Sequence, residues 1–201
     1  MDMSEQTKKR MRAPERRAQL IDVARQTFGR NGFHRVSMEE VAREAGVTKP
    51  VLYDHFPSKE ALYLALLDAD AAALGERVHA ALQAPTNNRE RIHASFKAYF
   101  DFVDEHAEGF LLMMQESMNP ASVSSSVADV RHRINAEVAD LIVRESHGTV
   151  GKRDAATLAL AITAMVAAVA QHNPGGPKEQ RDRQVDLLVE LAWHGMTALE
   201  G

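Results

Sequence analysis

The sequence predicts an all-α protein of about nine helices, and three observations carry that expectation. Apolar residues recur every three to four positions nearly throughout. No run alternates with period two for long enough to form a strand. Serine, asparagine, proline and glycine fall where helices of that spacing should begin and end.

Taken in order, Leu20, Ala24 and Phe28 mark a first helix over 14–31, which Gly32 should stop. Ser37-Met-Glu-Glu40 has capping-box spacing and opens a helix over 37–45, carrying Met38, Val41, Ala42 and Ala45 and ended by Gly46. A short helix over 48–55 and a long one over 58–83 follow. Asn87-Asn-Arg-Glu90 repeats the capping pattern ahead of 88–105, whose stripe is Ile92, Phe96, Tyr99, Phe100 and Val103. Helices over 107–117 and 120–146 come next, the second starting at Asn119-Pro120 and bearing Val123, Val127, Val130, Ile134, Val138 and Leu141. Gly148 separates it from 152–171, and Gly175 with Gly176-Pro177 separates that from 178–199.

Composition narrows the class. Hydrophobic residues are 45% and charged residues 26%, the balance of a core-forming globular chain rather than a disordered or fibrous one. There is no cysteine, which excludes disulfides, thiolate nucleophiles and thiolate-held metals. The charged start of the chain lacks the apolar run of a secretory signal, so a cytoplasmic location is expected. The longest apolar stretch, 155–170, is interrupted by Thr157 and Thr163. It falls short of the ~20 strongly apolar residues a bilayer needs and reads as a buried helix, with no membrane partner.

The net charge of −4 is unevenly spread: residues 1–60 carry +3 and residues 61–201 carry −7. Lys8, Lys9, Arg10, Arg12, Arg16 and Arg17 make the first segment basic, and a flexible basic arm over 1–13 suits an anionic partner. The stretch from Val36 to Phe56 supplies one. Two short helices joined at Gly46, with Val41, Ala42, Ala45 and Val47 able to pack on Leu52 and Phe56, have the layout of a helix-turn-helix. Its second helix would enter a DNA major groove with Thr48, Lys49, Pro50 and Val51 leading. A purely structural helical hairpin would show the same two helices.

The flanks decide between the two. Gly32-Phe33 before the helix pair, and Leu52-Tyr53-Asp54-His55-Phe56-Pro57-Ser58-Lys59-Glu60 after it, resemble the TetR family of bacterial transcription regulators over residues 14–64. The resemblance implies a DNA-binding domain over 14–60 and a ligand-binding and dimerisation domain over 61–201. It implies that Ser37, Tyr53, His55 and Lys59 contact phosphates and that Thr48, Lys49, Pro50 and Val51 face bases. It also implies a homodimer, formed through the last two helices, on a palindromic double-stranded operator. Asp54 departs from the pattern; it either accepts from a cytosine amino group or pairs with a nearby base such as Arg43, and the repulsion of a carboxylate by phosphate favours the pairing. Glu39 is a similar liability.

Two expectations concern the second domain. Leu158, Ile162, Met165 and Val169, with Val185, Leu188, Ala192, Met196 and Leu199, are the candidate dimer stripe that the resemblance implies, although by pattern alone they suit an intramolecular core equally. Phe96, Tyr99, Phe100, Phe110, Met113 and Met114 are candidate contacts for a small lipophilic effector, although each residue singly suits a plain core. The whole chain further resembles actinobacterial members that regulate lipid synthesis and sense long-chain acyl-CoA, through Lys49-Pro-Val-Leu-Tyr53 and Ala192-Trp-His-Gly195. The expected protein is therefore a repressor released from its operator by an acyl-CoA or fatty acid, with no bound cofactor. The rival is an α-helical lipid- or acyl-carrier-binding protein. An enzyme is not expected, because no nucleophile elbow or phosphate loop occurs and Glu90-x-x-His93 has no second copy to complete a metal site.

Overall fold

In a computed structural model the described residues are 11–84, 87–106, 125–146, 149–172 and 174–197. They form eight helices and no strand: α1 (Ala13–Asn31), α2 (Met38–Glu44), α3 (Lys49–His55), α4 (Lys59–Leu82), α5 (Asn88–Glu105), α6 (Ser125–Glu145), α7 (Lys152–His172) and α8 (Lys178–Thr197). The helix expected over 107–117, and the Asn119-Pro120 and Gly148 breaks, lie outside the described residues. Two compact units divide the chain, Met1–Leu66 and Leu67–Gly201, with the boundary inside α4.

In the first unit the apolar stripe of α1 turns inward, and Leu20, Ala24 and Phe28 are fully buried. Val41 and Ala42 of α2, Ala45 at its C-cap, and Leu52 and Phe56 around α3 are buried as well. Each large side chain removed from water contributes about 1.5–3 kcal/mol toward holding the three helices together. Phe28, Phe33 and Tyr63 form an aromatic cluster with centroids 4.7–6.1 Å apart, Phe28 meeting the other two rings edge-on.

The turn between α2 and α3 follows from its hydrogen bonds. Gly46 N–H donates to Arg43 O at 3.1 Å and Val47 N–H to Ala42 O at 3.0 Å, the paired bonds of a Schellman cap. That cap needs a left-handed residue, and Gly46 has φ +64°. A Cβ there would meet nothing within 4 Å, so the backbone angle alone demands glycine.

In the second unit Phe96, Phe100 and Val103 of α5 pack with Val166 and Ala170 of α7 and Val185, Leu188, Val189 and Ala192 of α8. The α4 residues Leu74, Val78 and Leu82 pack with Phe102 and Leu141 in a neighbouring cluster. The ends of α5 and α8 are tied by a buried cation. Arg181, 4% exposed, donates from Nη2 to Phe100 O at 3.1 Å, and its Nε lies 2.5 Å from Asp104 Oδ2, a charge contact without hydrogen-bond alignment. The other Asp104 oxygen accepts from Gly175 N–H at 2.9 Å.

Three sequence expectations need correction here. Pro177 is not the first residue of its helix; it precedes α8, and its carbonyl accepts from Gln180 and Arg181. The helix over the long apolar stretch is not simply buried: α7 is long and apolar enough, by length and composition, to cross a membrane, yet only 22% of that stretch is buried within the chain. Ala155, Ala159, Val166 and Ala170 face inward, while Leu160 is 57% exposed. Part of the candidate dimer stripe is likewise core within one chain, while Leu199 and the Met196 side chain lie outside the described residues. Val185, Leu188 and Ala192 are buried against α5 and α7, and Ile162, Met165 and Val169 pack on them. The apolar residues that α8 leaves outside are Leu187 and Leu191, 59% and 62% exposed. Leu187 and Leu191 fall outside the stripe read from the sequence, whose residues Val185, Leu188 and Ala192 are covered by the aromatic residues of α5.

Candidate nucleic-acid interface

The leading end of α3 is solvent-facing as the motif requires. Thr48, Lys49 and Pro50 are exposed, Val51 is half-buried, and Leu52 turns inward as the anchor. Thr48 occupies the N-cap position but its hydroxyl makes no capping bond. Tyr53, one turn on from Lys49, is 39% exposed and presents its ring on the same side, with the Lys49 ammonium 5.7 Å from the ring centroid. His55 ends the helix, half-buried beside Phe56.

Lys49 also contacts the preceding helix. Its Nζ pairs with Glu39 Oε1 on α2, and both side chains are more than half exposed. That hydrogen bond holds the Glu39 carboxyl below its ordinary pKa and the Lys49 ammonium above its own. The charge of Glu39, foreseen as a liability, is thus paired with the lysine that opens α3. No sequence rule pairs residues ten apart on two helices, so the contact was missed.

Ser37 is the N-cap of α2: its Oγ accepts from Glu40 N–H at 3.2 Å, and the residue is exposed. Lys59 departs from expectation. Its ammonium donates to Phe33 O at 2.8 Å, Val36 O at 3.0 Å and His34 O at 3.5 Å, and lies 4.4 Å from the Phe33 ring centroid. An ammonium has three N–H donors, and these carbonyls occupy them. Lys59 therefore pins residues 33–36, which lead into α2, rather than reaching for phosphate. Asp54 is exposed, and the pairing expected with Arg43 is absent: among the described residues Arg43 lies 3.9 Å from Glu44 instead.

Two further contacts shape this face without any sequence signal. Gln19 Nε2 donates to Ala45 O at 3.4 Å, fastening α1 to the turn. Arg17, counted with the basic arm, lies on α1 with its guanidinium 4.6 Å from the Phe56 ring centroid.

The candidate effector residues fare differently. Phe96 and Phe100 are 6% and 2% exposed and belong to the α5–α7–α8 core. Tyr99 packs beside them, its hydroxyl accepting from Gln171 Nε2 at 3.4 Å, and burial pushes its phenol pKa up. Phe110, Met113 and Met114 lie outside the described residues.

Comparison with known proteins agrees with this geometry. Residues 20–66 match the family of bacterial regulatory proteins of the TetR type, and residues 88–195 match a tetracycline-repressor-like C-terminal domain. The HTH-type transcriptional activator FasR of Mycolicibacterium smegmatis is 35% identical over 94% of this chain and 86% of its own length. A TetR-like transcriptional regulator from Rhodococcus sp. RHA1 superposes with TM-score 0.73 at 28% identity, over 94% of this chain and 99% of that one. A TetR-family regulator from Streptomyces coelicolor superposes with TM-score 0.70 at 26% identity, over 94% and 88%.

Proposed function

The chain belongs to the TetR family of bacterial transcription regulators, and from that premise we propose that it acts as a homodimer on a palindromic operator, with residues 14–60 binding DNA. The observation that supports this most is the exposed leading end of α3, Thr48 to Val51, on a buried Leu52 anchor. Thr48, Lys49, Pro50 and Val51 meet base edges, while Ser37, Tyr53 and His55 meet the backbone. The basic arm over 1–13 adds sequence-independent attraction.

Lys49→Ala and Tyr53→Phe should each weaken binding to a DNA fragment selected by the wild-type protein by ~1–3 kcal/mol, with helix content unchanged. Binding should also fall steeply with salt. Fluorescence anisotropy across a salt series checks both. Wild-type affinity in both variants would remove α3 from the interface.

The dimer is proposed to form through the outer faces of α7 and α8, where Leu160, Leu187 and Leu191 stand exposed. That surface accounts for an α7 that is strongly apolar yet little buried within one chain. The sign of control is not carried over from the expected repressor, since a relative matching nearly the whole chain is named an activator. A dimer bound over the polymerase site represses, and one bound upstream of it activates.

The effector is proposed to be lipophilic, a long-chain acyl-CoA or fatty acid, received in the 61–201 domain. The support is the resemblance to lipid-responsive members together with the aromatic and methionine content of 96–118. Long-chain acyl-CoA should change operator affinity and melting temperature together, because linkage makes the coupling reciprocal. If neither moves, the lipid assignment fails.

A further inference from the structure

The Glu39–Lys49 pair joins two exposed side chains from different helices, with Lys49 at the start of the candidate recognition helix. Exposed pairs of this kind add little to stability, so the fold does not need it. For DNA binding alone it is a handicap. Lys49 is the only lysine or arginine on α3, and the carboxylate both occupies it and repels phosphate. The other acidic residues of α2 are engaged sideways: Glu40 accepts from Asn31 at 3.4 Å, and Glu44 lies 3.5 Å from Arg30. Glu39 alone among them is spent on the recognition helix.

We propose that Glu39 is a specificity-determining residue, which withholds Lys49 from the phosphates of unselected DNA and permits its contact with the major-groove edge of guanine. This rests on the reading of α3 as the recognition helix. The physical basis is the number and charge of the acceptors. The ammonium has three donors, so one can stay on Glu39 while the others turn to guanine O6 and N7, which are neutral and are not repelled by the carboxylate. A phosphate oxygen offers Lys49 a stronger charge but must lie beside Glu39, which cancels the gain. The Tyr53 ring, whose centroid lies 5.7 Å from the ammonium, further narrows where Lys49 can reach.

The test compares Glu39→Gln with wild-type full-length protein on two short duplexes: one selected by the wild-type protein from random DNA, and one of scrambled sequence and equal composition. Glutamine keeps the length of the side chain, and the site is exposed, so folding is retained and circular dichroism verifies it. The variant should bind the scrambled duplex about tenfold more tightly at low salt, with a salt slope steeper by about one. The selected duplex should gain no more than about two- to threefold, so the ratio of the two affinities falls. Replacing the contacted guanine by 7-deazaguanine, which lacks the N7 acceptor, should weaken wild-type binding about tenfold and leave Lys49→Ala unaffected. Equal gains on both duplexes, or no sensitivity to 7-deazaguanine at any guanine, would overturn the role of Glu39 while leaving α3 as the recognition helix. A wild-type protein that enriches no sequence would overturn the reading of α3 and this inference together.

Discussion

Leu191→Glu should convert the dimer to a monomer and abolish tight operator binding, with Leu187→Glu giving the same result. Both leucines are about three-fifths exposed on one chain, so a charged replacement is harmless to the isolated fold, within about 0.5 kcal/mol. Across a two-fold interface each substitution acts twice, because the same residue comes from both protomers. Burying those carboxylates in an apolar contact would cost about 3 kcal/mol or more, roughly a hundredfold in the dimer constant. Operator affinity should fall at least as far, since a monomer grips one half-site. Sedimentation velocity on the two variants measures the first effect and a DNA titration the second. Variants that remain dimeric would move the interface off this face.

Asp104→Ala should be the most damaging change in the second unit outside its apolar core. Arg181 is buried, and the substitution removes the carboxylate held against it together with the acceptor for Gly175 N–H. Breaking a fully buried pair from one side costs about 3–5 kcal/mol; the Asp104 side chain is a third exposed, so about 2–4 is expected. Arg181→Met should be milder, since the carboxylate it strands can reach water while the longer apolar side chain still covers Phe100. The order matters more than either value. Urea unfolding of both variants should give the larger loss for Asp104→Ala, and the reverse order would show that the cation contributes packing rather than charge.

The sequence made the helices and the DNA-facing motif legible because both are local. Capping at Ser37 and Asn87, the left-handed Gly46 and the four-residue repeat of α1 are decided by neighbours within one turn; both caps accept from the backbone N–H three residues on, the forward half of the expected capping box. What escaped was set by tertiary partners. Val185, Leu188 and Ala192 look equally suited to a dimer or a core until Phe96 and Phe100 are found against them. Lys59 matches a phosphate-contacting position, and only the folded loop shows its donors turned to Phe33, His34 and Val36. The pairing of Lys49 with Glu39, rather than Arg43 with Asp54, depends on how two helices meet across a turn. Periodicity marks an apolar face without naming what covers it, and side-chain type marks a charge without naming its partner.

Selection of binding sites from random-sequence DNA by the full-length protein tests the central claim most directly. A dimer presenting two copies of α3 should enrich an inverted repeat, its half-sites centred one helical turn apart, about 10–10.5 base pairs, or a multiple of it. Enrichment of no sequence, or of a single half-site without symmetry, would contradict a dimeric helix-turn-helix regulator.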